Sequence, residues 1–221
     1  YGPQNMEKFL RYEADRYMQG RAFEDKKEVP LALVEQQQYI HYRKGSQVMY
    51  AMQDYLGEDR FNEGLRDFIR QWAFKGPPYP TTLDFLASIR RVTPDSLQQF
   101  VTDNFDRITL YDNKVEEATA TQLPGGRYKL RVVVDAKKFY ADSLGDEKPA
   151  ALRGDYVALA VFPESKQKTG VKPLLLVKRP VRTGRNTFEL VVPGKPARAV
   201  VDPYHELVDR NMEDNSKKLA L

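Results

Sequence analysis

The chain has 221 residues, of which 41% are hydrophobic and 30% charged, and its formal net charge is +4. This composition is typical of a soluble globular protein, and the length allows one large domain or two ordinary ones. Basic and acidic residues are interspersed, which argues against a nucleic-acid partner. No apolar run approaches the roughly 18–20 residues that span a bilayer. No secretory leader is visible in the sequence.

The first half of the chain is predicted to be helical, because its apolar residues recur at helical spacing. Gly20 is expected to stop the first helix, and Gly57 to cap the second in the left-handed conformation. Pro30 argues against a continuous helix through the polar connector 24–38. The third helix should bury one face, which consists of Phe61, Leu65, Phe68, Ile69 and Trp72. The predicted helices span residues 4–19, 42–56, 58–73, 83–92 and 93–105.

The second half of the chain is predicted to be an antiparallel β-sandwich. From Leu110 onward the hydrophobic period is two, and no helical stretch separates the strands. Residues 155–162 are apolar on both faces, which predicts a central strand. The polar tail 212–221 is expected to fray. The predicted strands span residues 115–123, 128–135, 155–162, 174–179, 187–192 and 197–201.

The change of hydrophobic period predicts two domains in an α+β chain. We place the helical part at residues 1–108 and the β-sandwich at residues 109–221. The charged first helix is interpreted as a solvated face with pairs four residues apart. The late basic residues are interpreted as a solvated sheet edge that discourages pairing, and they are Lys178, Arg179, Arg182 and Arg185.

Tyr42 is the candidate catalytic residue, within the element Tyr42-Arg43-Lys44-Gly45. A tyrosine hydroxyl stays protonated at neutral pH and can donate a hydrogen bond to an oxyanion that develops on a peptide carbonyl. Removing one such donor typically lowers a rate by about 10²–10³. The element is short, and an ordinary helix-capping tyrosine is the alternative interpretation.

The surroundings of Tyr42 resemble the zinc aminopeptidases of the aminopeptidase N type. Residues 42–57 resemble the helix that follows the zinc site in this gluzincin family. The other similar segments are 1–6, 76–82 with Phe85-Leu86, 108–113 and 202–211, the last two as in bacterial members. The resemblance implies that Tyr42 stabilises the tetrahedral intermediate, and that Lys44 and Gly45 occupy structural positions. Gly45 is expected to allow close packing at the start of the helix.

The resemblance also implies the fold and the activity of a parent protein. The fold would be the helical C-terminal half of a thermolysin-like catalytic domain followed by a β-sandwich. The parent would be a bacterial zinc aminopeptidase that removes N-terminal residues from peptides. Some bacterial members fuse the peptidase to a permease-like membrane region, so the parent can be membrane-associated, whereas this fragment is expected to be soluble.

The zinc-binding part of that family is missing from this sequence. It contains no His-Glu-X-X-His helix, no third glutamate ligand and no Gly-X-Met-Glu-Asn strand. It has no cysteine and two histidines, His41 and His205, which we interpret as packing or hydrogen-bonding residues. We therefore predict no metal-binding residue, no zinc and no activity for the fragment alone. The rival interpretation is a non-catalytic module for protein interaction or scaffolding.

Overall fold

A computed structural model describes residues 3–167 and 170–220, and within them the chain is helical up to Phe105 and mainly antiparallel sheet from Ile108 onward. This arrangement confirms the predicted α+β class. Tyr1 and Gly2 of the first similar segment, and Leu221 of the tail, lie outside the described residues. The α-helices of the described part are α1 (Pro3–Phe23), α2 (Gly45–Leu56), α3 (Glu58–Trp72), α4 (Thr82–Val92) and α5 (Gln98–Phe105). The strands there are β1 (Ile108–Gln122), β2 (Tyr128–Ala141), β3 (Glu147–Ala150), β4 (Arg153–Phe162), β5 (Leu175–Arg182), β6 (Gly184–Val192), β7 (Arg198–Val201) and β8 (Ser216–Lys218).

Gly20 does not stop the first helix, which continues to Phe23. A Cβ atom at position 20 would lie 2.3 Å from the Cβ of Tyr39 and 2.6 Å from its Cγ. Glycine is therefore needed at this position for a close helix crossing and not for termination. Gly45 behaves in the opposite way, because a Cβ there would make only ordinary contacts at 3.6 Å and beyond. The expectation of close packing at Gly45 is wrong.

These two glycines give matched variants. Gly20→Ala should destabilise the chain by about 1–3 kcal/mol, because overpacking forces Tyr39 or helix α1 to shift. Gly45→Ala should be neutral or stabilising by up to about 1 kcal/mol, because alanine favours the helix. Urea unfolding of the two variants measures both effects. Equal stability of the two variants would contradict the packing role of Gly20.

The predicted inward face of α3 is only partly buried. Phe61 is buried, whereas Ile69 is 59% exposed, so its assignment to the core is wrong. The contact with α4 is made at Gly64, where a Cβ atom would lie 2.9 Å from the Cγ2 of Val92.

Gly57 ends α2 with a φ of 88°, as predicted, but its ψ of 141° is not that of a left-handed helical cap.

The β part consists of two antiparallel sheets of four strands each within the described residues. In the first sheet β2 pairs with β1, β3 and β6. The second sheet has the order β5-β4-β7-β8, so β4 is central, as its continuous apolar sequence predicts. Side chains of both sheets share one hydrophobic core, with Val134 and Leu159 among its buried members. The late basic residues lie on two edge strands of the described part: Lys178, Arg179 and Arg182 on β5, which pairs with β4, and Arg185 on β6, which pairs with β2.

The tail was predicted to fray, but in the structure it pairs with the sheets. Strand β8 pairs with β7 from Arg198 to Val200, and the backbone N–H of Ala220 donates to the carbonyl of Ala118 at 3.1 Å. Long-range pairing therefore holds a segment whose polar sequence gives no strand signal. The short strand β3 was missed for the same reason.

The helical and β parts are in direct contact. Leu110 of β1 and Val208 pack into the core of the helical part. Gln47 is fully buried, and its Nε2 donates to the carbonyls of His205 at 2.7 Å and Leu207 at 2.9 Å. The division into domains at residue 108 stays a prediction. Among the described residues, no helix is both long and apolar enough to cross a lipid bilayer.

Candidate functional site

Tyr42 lies on a π-helix, Tyr39–Lys44, that leads directly into α2. The backbone N–H of Gly45 reaches back five residues to the carbonyl of Ile40, which is the wider hydrogen-bond spacing of a π-helix. Ile40 and Lys44 face the interior, and Tyr42 between them is 65% exposed. Such π-turns are frequent at functional sites because they re-aim one side chain.

The phenol of Tyr42 is available to a ligand. Its ring packs against the ring of His41, with centroids 4.4 Å apart, and its hydroxyl has no hydrogen-bond partner among the described residues. The backbone carbonyl of Tyr42 accepts the Oγ–H of Ser46 at 2.7 Å and the backbone N–H of Gly45. His41 is a packing residue, as expected, and its buried Nδ1 has no hydrogen-bond partner within the described part of the chain.

Tyr42 stands at the edge of an open apolar cavity of about 410 Å³. The floor comes from separate elements, with Met49 on α2, Phe85 on α4 and Phe105 on α5. The tyrosine hydroxyl is therefore combined with a hydrophobic surface that can accept an apolar group. Further lining residues are Leu31, His41, Gly45, Ser46 and Thr82.

The π-helix is held from the side of α1. The Nη1 of Arg43 donates to both carboxylate oxygens of Glu13 at 3.2 Å, and Glu13 is buried. Arg21 pairs with Glu28 at 2.8 Å and with Glu147 of β3 at 3.4 Å. The interpretation of α1 as a solvated face with pairs four residues apart is therefore wrong for Glu13 and Arg21, whose partners lie on other elements.

Lys44 of the same element is a buried cation. Its side chain is 1% exposed, its Nζ has no hydrogen-bond partner among the described residues, and it lies 5.4 Å from the centroid of the Tyr17 ring. Burial lowers the pKa of Lys44 to about 8, against an opposing attraction from Glu28. The Glu28 carboxylate accepts a hydrogen bond from the Tyr17 hydroxyl. Glu28 lies in the polar connector without a motif, so the sequence gives no signal for its role.

The buried ammonium group of Lys44 should make stability depend on pH. A lysine whose pKa falls from 10.5 to about 8 on folding holds fewer protons in the folded state between those pH values. Stability therefore rises as pH increases from about 8 to 10.5, by at most about 3 kcal/mol, since one pKa unit corresponds to about 1.4 kcal/mol.

Lys44→Met should remove this rise and be at least as stable as the original chain at pH 7. The measurement is urea unfolding of both proteins from pH 7 to pH 10.5. A rise of the same size in the Met variant would contradict the assignment of this pH dependence to Lys44.

His205 lies far along the chain in a buried turn that also contacts α2. Its φ is 56°, and its backbone N–H donates to the carbonyl of Asp202. Burial lowers the pKa of His205 to about 4, so the imidazole is neutral at pH 7. Burial raises the pKa of Asp202 to about 7, although Asp202 accepts the backbone N–H groups of Glu206 and Leu207. These groups shape the turn that Gln47 binds, whereas Tyr42 lies on the π-helix that precedes α2.

The described residues do not fit a metal ion. They contain no group of three histidine, cysteine, aspartate or glutamate side chains that could hold one. His41 and His205 are not brought together with carboxylates into a ligand set. The prediction that this chain binds no zinc stays a prediction.

The helical part of the chain is similar to a known peptidase domain. Residues 4–105, from the first turn of α1 to the last residue of α5, match the model of the Peptidase family M1 domain. The match includes Tyr42 and the elements that form its cavity, and it supports a fragment of an M1-family hydrolase. No curated protein matches the chain. Strands β1–β8 lie outside the matched range.

Proposed function

We propose that this chain is the C-terminal part of a zinc aminopeptidase, with Tyr42 as its one catalytic residue. The observation that carries the proposal is the position of Tyr42, an exposed phenol with a free hydroxyl on a π-helix inside the range that matches the M1 domain. We also propose that the helices form the C-terminal half of a thermolysin-like domain and that the two sheets form a β-sandwich.

The chemistry of Tyr42 follows from its hydroxyl. Peptide hydrolysis passes through a tetrahedral intermediate, in which the carbonyl oxygen gains negative charge. A neutral phenol donates its O–H to that oxygen and stabilises the transition state more than the ground state. The packing of the ring on His41 and the pairing of Arg43 with Glu13 limit the positions that the hydroxyl can reach.

The proposed parent protein supplies the metal centre from residues outside this chain. Zinc in such an enzyme activates a water for attack on the carbonyl. The described residues contain no group of three potential metal ligands. The contribution that we propose for this chain is the Tyr42 hydroxyl and the apolar surface beside it. We propose a peptide as the substrate and no nucleic acid as a partner.

A bacterial origin and a fused or adjacent membrane domain in the parent are further parts of the proposal. The resemblance of residues 108–113 and 202–211 to bacterial members supports them. Both segments lie in or beside the sheets, outside the matched range.

The proposal predicts a sharp difference between this chain and the longer gene product. The purified 221-residue chain should hold no stoichiometric zinc and should release no N-terminal residue from peptides. The longer product should hold one zinc ion per chain and be active. Elemental analysis and a fluorogenic aminoacyl substrate measure both properties. Stoichiometric zinc on the short chain would contradict the prediction that it binds none. An inactive, zinc-free longer product would favour the interaction-module interpretation.

A further inference from the structure

A second cavity, of about 420 Å³, lies between the helical part and the sheets. Its size falls in the range of about 300–1,000 Å³ that small-molecule sites occupy, and such sites are frequent between domains. One wall comes from α2 and α5 with the 3₁₀-turn before α5, and the other from β1, β2 and β4. Tyr42 does not line it, so this cavity is distinct from the site proposed above.

The walls of this junction cavity offer aromatic surface. The rings of Tyr55 and Phe100 stack with centroids 4.2 Å apart and an interplanar angle of 11°. The Tyr55 hydroxyl donates to the backbone carbonyl of Tyr156 at 3.2 Å, and the Tyr140 hydroxyl donates to Asp103 at 2.7 Å. These tyrosines therefore present ring surface to a ligand, with their hydroxyl hydrogens already used.

The carboxylates at the cavity are also occupied. Lys138 donates to Asp103 at 2.7 Å and to Asp155 at 2.6 Å. Asp103 further accepts the side-chain amide of Gln99 at 2.8 Å, and Asp155 accepts the backbone N–H of Arg153 at 2.8 Å. Since an ammonium group has three N–H donors, Lys138 retains one beyond these two bonds. No carboxylate of this cluster is left to bind a cationic ligand.

The remaining charged group is Arg153. It is exposed, lines the cavity and stands directly opposite Arg182 in the β4–β5 register. Neither arginine forms a salt bridge with any described residue. Like charges directly opposite on paired strands are destabilising. A β-bulge between Arg153 and Asp155, with Gly154 at a φ of 99°, re-aims the strand at this point, as bulges near binding sites do.

We propose that the junction cavity binds a small organic carboxylate with a flat apolar body. The carboxylate pairs with the guanidinium group of Arg153, which relieves the repulsion from Arg182, and the apolar body lies against Tyr55, Phe100 and Tyr156. The charged groups without a full set of partners are the donors of Arg153 and Lys138, and the tyrosine and phenylalanine rings offer apolar surface. A ligand of this class supplies negatively charged acceptor oxygens for the donors and a planar apolar surface for the rings.

Binding of N-acetyl-L-phenylalanine to the intact 221-residue chain tests this proposal. The comparison ligand is N-acetyl-L-phenylalanine amide, which keeps the ring and loses the charge. Amide chemical-shift titration should show saturable binding of the carboxylate at cavity residues, with an affinity at least about tenfold above that of the amide, since charge-assisted bonds are the stronger ones.

Two arginine variants and one aromatic variant complete the test. Arg153→Gln should remove the preference for the carboxylate. Arg127→Gln should keep it, because this exposed arginine lies just before β2, roughly 35 Å along the chain from Lys138. Phe100→Leu should weaken both ligands to a similar extent. Equal binding of acid and amide, an unchanged preference in Arg153→Gln, or no saturable binding would each overturn the proposal. None of these results depends on peptidase activity.

Discussion

Replacing Tyr42 by phenylalanine in the longer protein that we propose contains this chain should lower kcat by about 10²–10³ and leave KM nearly unchanged. The variant removes one oxygen atom from a side chain that is largely exposed and makes no hydrogen bond within the described residues. The fold and the ring contact with His41 should therefore be preserved. Only a hydrogen bond that forms in the transition state is lost.

Steady-state kinetics on a peptide substrate measure this effect, and unfolding by heat checks the fold. The matched control is Tyr79→Phe, which removes the same atom from another exposed tyrosine and should leave both constants unchanged. A Tyr42→Phe enzyme with the original kcat would exclude the oxyanion role. An equal rise in KM with kcat unchanged would indicate that Tyr42 binds ground state and transition state alike.

Lys138→Met should destabilise the chain by about 3–5 kcal/mol, the largest expected effect on folding. The side chains of Lys138 and Asp103 are each 1% exposed, and their pairing links β2 to α5. Burial alone lowers the pKa of Lys138, but the hydrogen bonds and charges of Asp103 and Asp155 outweigh it and the pKa is raised. Removal of the ammonium group leaves a buried carboxylate without its cation.

Urea unfolding measures this loss. The matched control is Lys129→Met on the same strand, where an exposed lysine pairs with Glu189 at 2.9 Å. That variant should change stability by no more than about 1 kcal/mol. The double variant Lys138→Met with Asp103→Leu should recover part of the loss, because replacing a buried pair by apolar residues is often close to neutral. Equal losses of stability in the Lys138→Met and Lys129→Met variants would show that the buried ion pairs of Lys138 stabilise the fold no more than an exposed pair.

The parts of the fold that depend on local chemistry were predictable. The sequence offers Thr81 or Thr82 as the cap of α4, and in the structure Thr81 forms a capping box with Asp84, three residues further on. The alternating apolar residues of β2 and the continuous apolar run of β4 indicated a half-buried and a central strand. Tyr42 was identifiable only because the residues around it resemble a known motif, and its catalytic role stays a proposal.

Long-range contacts explain the differences between prediction and structure. Gly20 looked like a helix end, since nothing nearby in the sequence shows that Tyr39 packs on it. Strands β3 and β8 have four and three residues, and their pairing partners supply the order that their own sequences lack.

Burial of charge was the least predictable feature. Lysine is seldom fully buried, and a sequence does not show which carboxylates or rings will surround Lys44 and Lys138. The same reason hides the junction cavity, whose walls come from segments between Tyr55 and Tyr156 that are distant from one another in the sequence. Hydrophobic period and caps encode helices and strands locally, whereas the environment of each charged group exists only after distant segments pack together.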